Sequence, residues 1–233
     1  MPVFDRVNIM VPVMNNEETL QQLMHEVTEA LSNMVDKCEF VFVDDASTDG
    51  SLGVLEQIAG ADPTVQVLAN PKNLGQQASI RKGLALCRGD AVVVMDADLQ
   101  DPPSAIPKLL LALADGPYDA VFATRSGRYQ SRARMLSGTV FRYLIGHLTA
   151  LPKGAGCFVA IRGGVAAQLA AKKNQRFYLA GLIGCGDYRI SALPVERSMR
   201  QVGRSSYSSS MRWKTGVSNI TAVLQERLLN AKR

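Results

Sequence analysis

Along the first 125 residues, short runs rich in β-branched and apolar side chains alternate with segments of helical period. The runs are VNIMVPV (7–13), EFVFVDD (39–45), VQVLA (65–69), AVVVMD (91–96) and YDAVFAT (118–124). Within 17–34, Leu20, Leu23, Met24, Val27 and Leu31 recur at i, i+3, i+4, i+7 and i+11, which predicts one buried helical stripe. Such a βαβαβ order predicts an α/β fold with a mainly parallel sheet and helices on both faces. Sheets of this kind collect ligands at the carboxyl ends of their strands. The polar clusters fall there: NNEE after the first run, DDASTDG after the second, NPKNLG after the third and DADLQD after the fourth.

Beyond residue 125 the pattern changes. RSGRYQSRARMLSGTVFRYLIGHLTALPKGAGCFVAIRGG is basic, then amphipathic, then glycine-rich, and the order of elements is no longer legible. With no linker in sight, residues 126–233 are expected to form a second half of the same domain, packed on the same sheet as residues 1–125. The 47% hydrophobic and 20% charged composition suits a globular protein with a sizeable core. A net charge of +5 favours phosphates or anionic lipid without naming a partner.

Cys38, Cys87, Cys157 and Cys185 are scattered, with no C-x-x-C pair, so they read as reduced thiols. Two distant histidines, His25 and His147, exclude a multi-histidine metal site and disfavour a His-based triad. MPVFDRVNIMVPV carries an acid and no long apolar segment follows it, so no signal peptide is expected. No run approaches the ~20 apolar residues of a membrane span. The expectation is a soluble chain or one resting on a membrane surface.

The strand pattern would suit a dinucleotide fold, but the first turn reads MNNEE where G-x-G-x-x-G is needed, and two acids there would repel a bare pyrophosphate. No G-x-x-x-x-G-K-[ST] occurs either. Carboxylates at strand ends can still receive a phosphorylated ligand through a hard divalent cation, since Mg2+ or Mn2+ takes oxygen ligands from one or two carboxylates plus the substrate's phosphates. In DADLQD, a D-x-D motif, Asp96, Asp98 and Gln100 would share one side of an extended continuation of the strand. Asp98 is the first candidate metal ligand, Gln100 an oxygen-donating helper, and Asp96 a contact for ribose or sugar hydroxyls. Helix capping near Ser104 is the competing reading of these acids, and Asp101 before Pro102 is assigned to it.

VPVMNNEE, VDDASTDGS, NLGQQASIRKG and MDADLQDPP, in this order and spacing, resemble the nucleotide-binding half of family-2 glycosyltransferases of the GT-A fold. More narrowly they are similar to the polyprenyl-phosphate branch, the dolichol-phosphate mannose synthases and undecaprenyl-phosphate glycosyltransferases. The resemblance covers about the first 125 residues, and more loosely RYQSRARMLSG, FYLAGLIG and VERSMRQVGRSSY. It implies a metal-dependent, inverting transferase at the cytoplasmic membrane face, moving a hexose from a UDP- or GDP-sugar to a polyprenyl phosphate, as in cell-envelope biosynthesis. It also implies that Pro12 and Glu17 line the nucleotide pocket, that Asp44 or Asp45 accepts from the base edge, and that Arg81 lies near the nucleotide or its phosphates. Met14 stands where the family carries an aromatic residue. On its own residues, Arg81 reads equally as a solvated cation on a short helix between Gly75 and Gly83.

A phosphate acceptor needs cations rather than a base, being ionised already with a second pKa of about 6. Arg125, Arg132 and Arg134, with Arg128 and Arg142, precede or interrupt the apolar set Met135, Leu136, Val140, Phe141, Leu144, Ile145 and Leu148. That is the make-up of an interfacial helix, and equally of a core helix with an arginine edge. Arg200 and Arg204 flank Gly203 in RQVGRSSY, where Ser205 and Tyr207 could help close a basic loop over phosphate. Arg132 and Arg200 are the candidate catalytic cations beside Asp98. The tail WKTGVSNITAVLQERLLNAKR is amphipathic and ends basic, which leaves an interfacial anchor, a surface for a second copy or a membrane-protein partner, and the stub of a longer architecture open. No nucleic-acid partner is expected. Two rivals remain: a same-fold enzyme glycosylating a hydroxyl, with Asp187 as the base, and a non-catalytic subunit that binds nucleotide-sugar.

Overall fold

The computed structural model describes residues 2–126, 146–172, 176–196 and 209–230, with the backbone alone for 125–126, 209–215 and 230. Its strands are β1 (Phe4–Val13), β2 (Val35–Asp44), β3 (Val65–Ala69), β4 (Ala91–Val94), β5 (Ala120–Ser126), β6 (Ala155–Arg162) and β7 (Ile190–Glu196). Its helices are α1 (Leu20–Leu31), α2 (Ser51–Ala61), α3 (Gln76–Leu84), α4 (Ile106–Asp115), α5 (Gly163–Ala171), α6 (Leu179–Cys185) and α7 (Ser209–Asn230).

Among the described residues these strands form one sheet in the order β3-β2-β1-β4-β6-β5-β7. β6 pairs antiparallel with both β4 and β5, while β1–β4 are mutually parallel and β7 is parallel to β5. Six strands therefore end at the same edge, where β6 begins. The strand order reverses between β1 and β4, and a crevice opens at such a switch point.

The continuous apolar character of β1 follows from its central place, since side chains on both of its faces are buried. Val7, Ile9, Val11 and Val13 join a core with Phe40 and Phe42 of β2, the α1 stripe and Leu109, Leu110 and Leu113 of α4. Met10, Val41 and Val43 face the other core, built with α3, α5, α6 and α7. Gly83 lets α3 lie close on β1, because a Cβ there would come within 2.4 Å of Met10 Cε.

The predicted α1 stripe is present, with Leu20, Leu23, Val27 and Leu31 buried. The predicted tail stripe is divided. Val223 packs into the core with Ala222, whereas Val217, Leu224 and Leu228 are exposed. α7 is further tied to the body by an ion pair between buried Glu226 and half-buried Lys172. Among the described residues no helix is long and apolar enough to cross a membrane.

Candidate active site

The loops after β1 and β2 are zipped together at the carboxyl edge. Asn15 N–H donates to Ser47 Oγ at 3.0 Å, and Thr48 N–H donates to Asn15 Oδ1 at 2.7 Å. Asn15 and Ala46 both hold positive φ, 56° and 60°, so the loops are bent into conformations most side chains avoid. Glu17, expected to line the nucleotide pocket, is exposed and accepts from Gly50 N–H at 2.9 Å. Asp49 shares in this seam: burial works to raise its pKa, but hydrogen bonds from Ser51 and from the Glu17 N–H hold it below the ordinary carboxylate value. Pro12 is buried in β1 opposite Val43 of β2.

The two adjacent aspartates ending β2 have different surroundings. Asp45 accepts from Leu74 N–H at 2.8 Å, Gly75 N–H at 2.7 Å and Asn70 Nδ2 at 2.9 Å, so it anchors the loop that leads into α3. Gly75 sits there at φ 90°, a conformation that only glycine adopts freely. Asp44 is 1% exposed; its Oδ2 accepts from Ser47 N–H at 3.1 Å, while Oδ1 is the one buried side-chain polar atom without a hydrogen-bond partner among the described residues. An acceptor buried in this way costs about 1–3 kcal/mol unless a donor reaches it.

β4 ends at Val94, and the acidic turn does not continue it. Sequence spacing placed Asp96, Asp98 and Gln100 on one side of an extended chain; instead Leu99 turns back at φ 56° and buries its side chain, 7% exposed, in the core. A bulky residue in the left-handed region is costly, of order 1–3 kcal/mol, and persists only where packing enforces it. The result is a compact turn with Asp98 and Asp96 half-buried, Gln100 N–H donating to Asp98 Oδ1 at 3.2 Å. Thr19 Oγ donates to Ala97 O at 2.6 Å and ties the turn to α1. Gln76 Nε2 donates to Asp96 Oδ1 at 2.6 Å. Asp101 is 5% exposed and lies just ahead of the 3-10 turn at Pro103–Ala105.

Arg81, expected near the nucleotide, donates to the carbonyls of Ala170 and Lys172 at the end of α5. Asp187, the base considered for a hydroxyl acceptor, precedes β7 and so lies at the opposite edge of the sheet, with the strand's seven residues, about 23 Å at 3.3 Å each, between them. That removes it as a base. Arg132, Arg134, Arg200 and Ser205, with Arg128, Arg142, Arg204, Tyr207 and the apolar residues of 135–145, lie outside the described residues. Arg125 is described in backbone only, near the carboxyl end of β5.

Among the described residues no three His, Cys, Asp or Glu side chains converge into a ready-made metal cage. The donor set that is present, a half-buried aspartate pair in one turn, suits a hard cation that takes its remaining ligands from phosphate oxygens. Sequence reasoning missed Thr19 and Gln76, although both are polar residues at the start of a helix facing the carboxyl edge.

The model of the family described as glycosyl transferase family 2 matches residues 8–165, more than half of the chain and every motif of this edge. The chain belongs to that family. Undecaprenyl-phosphate 4-deoxy-4-formamido-L-arabinose transferases are among its relatives. The one from Pseudomonas savastanoi pv. phaseolicola is 33% identical over 87% of this chain, and one from Pseudomonas fluorescens strain SBW25 is 34% identical over the same share. This family-2 chain spans about 60% of the length of these curated relatives. Among solved structures, glucosyl-3-phosphoglycerate synthase from Mycobacterium tuberculosis, crystallised with Mn2+, UDP and phosphoglyceric acid, matches with a TM-score of 0.70 at 20% identity, covering 96% of this chain and 78% of that one. A mannosyltransferase from Pyrobaculum calidifontis in complex with GDP-Man and Mn2+ matches with a TM-score of 0.63 at 20% identity, covering 98% and 64%. These likenesses establish the GT-A architecture of the family-2 chain.

Proposed function

We propose that the protein transfers a sugar from a nucleoside-diphosphate sugar to a polyprenyl phosphate, using a divalent cation. The observation that carries the donor half is the partnerless Oδ1 of Asp44, buried at the switch-point edge. An N–H on the Watson–Crick edge of uracil or guanine would satisfy it, and Asp45 is already occupied by its own loop. Asp96 then faces ribose or sugar hydroxyls, and Asp98, with Gln100, would hold Mg2+ or Mn2+ against the two phosphates. Bound there, the cation would offset the charge of the departing nucleoside diphosphate.

The acceptor half is supported by the relatives, which are undecaprenyl-phosphate transferases, and by the arginines that follow β5 and β7 in the sequence. β5 and β7 both end at the same edge as Asp98, so chain leaving them with Arg125, Arg132, Arg134, Arg200 and Ser205 starts on the side where an acceptor must enter. Arginine's planar fork matches phosphate oxygens, and an already ionised phosphate attacks the anomeric carbon without a base, inverting it. The relatives' sugar is a substituted arabinose, so the hexose expected from the motifs becomes one of two sugar classes to test. We place the working chain at the cytoplasmic membrane face, in peripheral contact with lipid.

The test is transfer of label from UDP- and GDP-sugars, pentose and hexose, into an organic phase containing undecaprenyl phosphate and Mn2+. Label appearing only on soluble saccharide, or on no acceptor while nucleotide still binds, would remove the lipid-phosphate reading.

A further inference from the structure

Three pieces of the carboxyl edge meet at the start of α3. Leu74 and Gly75 N–H donate to Asp45 at the end of β2. The next two residues then diverge. Gln76 Nε2 reaches Asp96 Oδ1 at 2.6 Å, beyond the end of β4. Gln77 Nε2 donates to Cys157 Sγ in β6 at 3.5 Å, and its Oε1 accepts from Leu179 N–H at 2.9 Å at the start of α6. The helix has no side-chain cap of its own at this end, so neither amide is spent on its first turn.

We propose that Gln76 is a positioning residue that fixes the Asp96 carboxylate for the donor's hydroxyls, while Asp45 and Gln77 hold the helix end that carries it. The inference rests on the donor-site reading given above. An amide-to-carboxylate bond of this length is charge-assisted and stronger than one between neutral groups. It fixes Asp96 by Oδ1, so the carboxylate does not have to be ordered when the ligand arrives, and preorganisation of this kind appears as affinity.

The experiment measures, by calorimetry on the full chain, the Kd of UDP with Mn2+ and of GDP with Mn2+. It compares wild type, Gln76→Met, Gln76→Glu, Asp96→Ala and the Gln76→Met/Asp96→Ala double variant, each with a thermal melt. Gln76→Met removes the donor at nearly constant shape and should weaken the nucleotide that wild type binds by about tenfold, with Tm unchanged. Gln76→Glu keeps the shape but sets two carboxylates together, and should weaken it further. In the Asp96→Ala background the Gln76→Met change should have no additional effect, because a residue that acts through Asp96 has nothing left to act on. A wild-type Kd in Gln76→Met beside a weakened Asp96→Ala would overturn the positioning role and leave the donor site standing. Fully additive losses in the double variant would likewise overturn it. Wild-type affinity in Asp96→Ala, or no binding of either nucleotide by wild type, would remove the donor-site reading itself.

Discussion

The two ends of the sheet differ in how their carboxyl edges are braced. β3-β2-β1-β4 is cross-linked at both edges: at the carboxyl edge Asn15 with Ser47 and Thr48, Glu17 with Gly50, Thr19 with Ala97 and Asp45 with the loop before α3, and at the amino edge Arg6 with Glu39 and Asn8 with the Arg88 and Gly89 N–H groups. In β6-β5-β7 most of the described cross-links gather at the amino edge, with the bonds of Thr124 to Leu193 O and of Gln77 to Cys157 towards the other. Arg162 donates to Tyr118 O and to Leu113 O, both at 2.7 Å, Asp119 pairs with Arg189, and Gly163 N–H donates to Asp90 O at 2.7 Å. A nucleotide has one shape, and a site for it can be fixed in advance. On the function proposed above, the donor uses the end whose carboxyl edge is cross-linked, and the acceptor the end secured mainly at its amino edge.

The largest test of this contrast is Asp98→Ala. If Asp98 holds the cation against the donor phosphates, as proposed, removing its half-buried carboxylate should lower transfer by about 10³-fold, the scale of losing one charge-stabilising group in an active site. The melt should stay near wild type, since among the described residues Asp98 is bonded only within its own turn. Activity retained in EDTA would contradict the same assignment. Next in size is the pair Arg132→Ala/Arg134→Ala. If the second end serves the acceptor, transfer to undecaprenyl phosphate should fall by about 10²-fold, the loss expected for one or two charged hydrogen bonds, while the Kd for nucleotide is unchanged. A weakened nucleotide Kd would show that the two ends are not separate in function.

Asp44 and Asp45 sharpen the contrast within the donor end. Asp45→Ala strands the N–H groups of Leu74 and Gly75 and the Asn70 amide, at a cost of about 2–4 kcal/mol, so Tm should drop by about 5–15 °C. Asp44→Ala removes the partnerless Oδ1 together with one bond, that from Ser47 N–H to Oδ2. Its melt should stay within a few degrees of wild type, while nucleotide binding weakens about tenfold. Equal effects on Tm would erase the distinction between scaffold and ligand contact.

Sequence alone left that pair open because the residues are identical neighbours, and only their partners separate them. It read the parallel half well: β1–β4 and the α1 stripe carry strong periodicity, and β3 coincides with its predicted bounds. β6 was illegible because it opens on Ala155-Gly156-Cys157, which has little strand character. β7 is a half-exposed edge strand with Pro194 in it, tolerable there because an edge strand need pair on one side only. The acidic turn was misjudged in shape, since spacing arguments assume a regular backbone and Leu99 leaves it. Thr19 and Gln76 escaped notice because their partners lie 78 and 20 residues away.

The smallest expected effect concerns the seam between the first two loops. Asp49 accepts from Ser51 N–H at 3.0 Å and from Glu17 N–H at 3.3 Å, and these bonds outweigh burial to depress its pKa. A carboxyl whose folded pKa lies below its unfolded value of about 3.9 adds stability above that pH and loses it as pH falls through the folded value. Asp49→Ala should therefore lower Tm by about 1–3 °C at pH 7, the scale of a lost cap-type bond on an exposed loop. The gap between variant and wild type should shrink as the melt is repeated at pH 4 and then pH 3. A gap independent of pH would mean that the ionised carboxylate does not hold the seam, and that the loops after β1 and β2 are kept together by the other bonds, those of Asn15, Asn16 and Glu17.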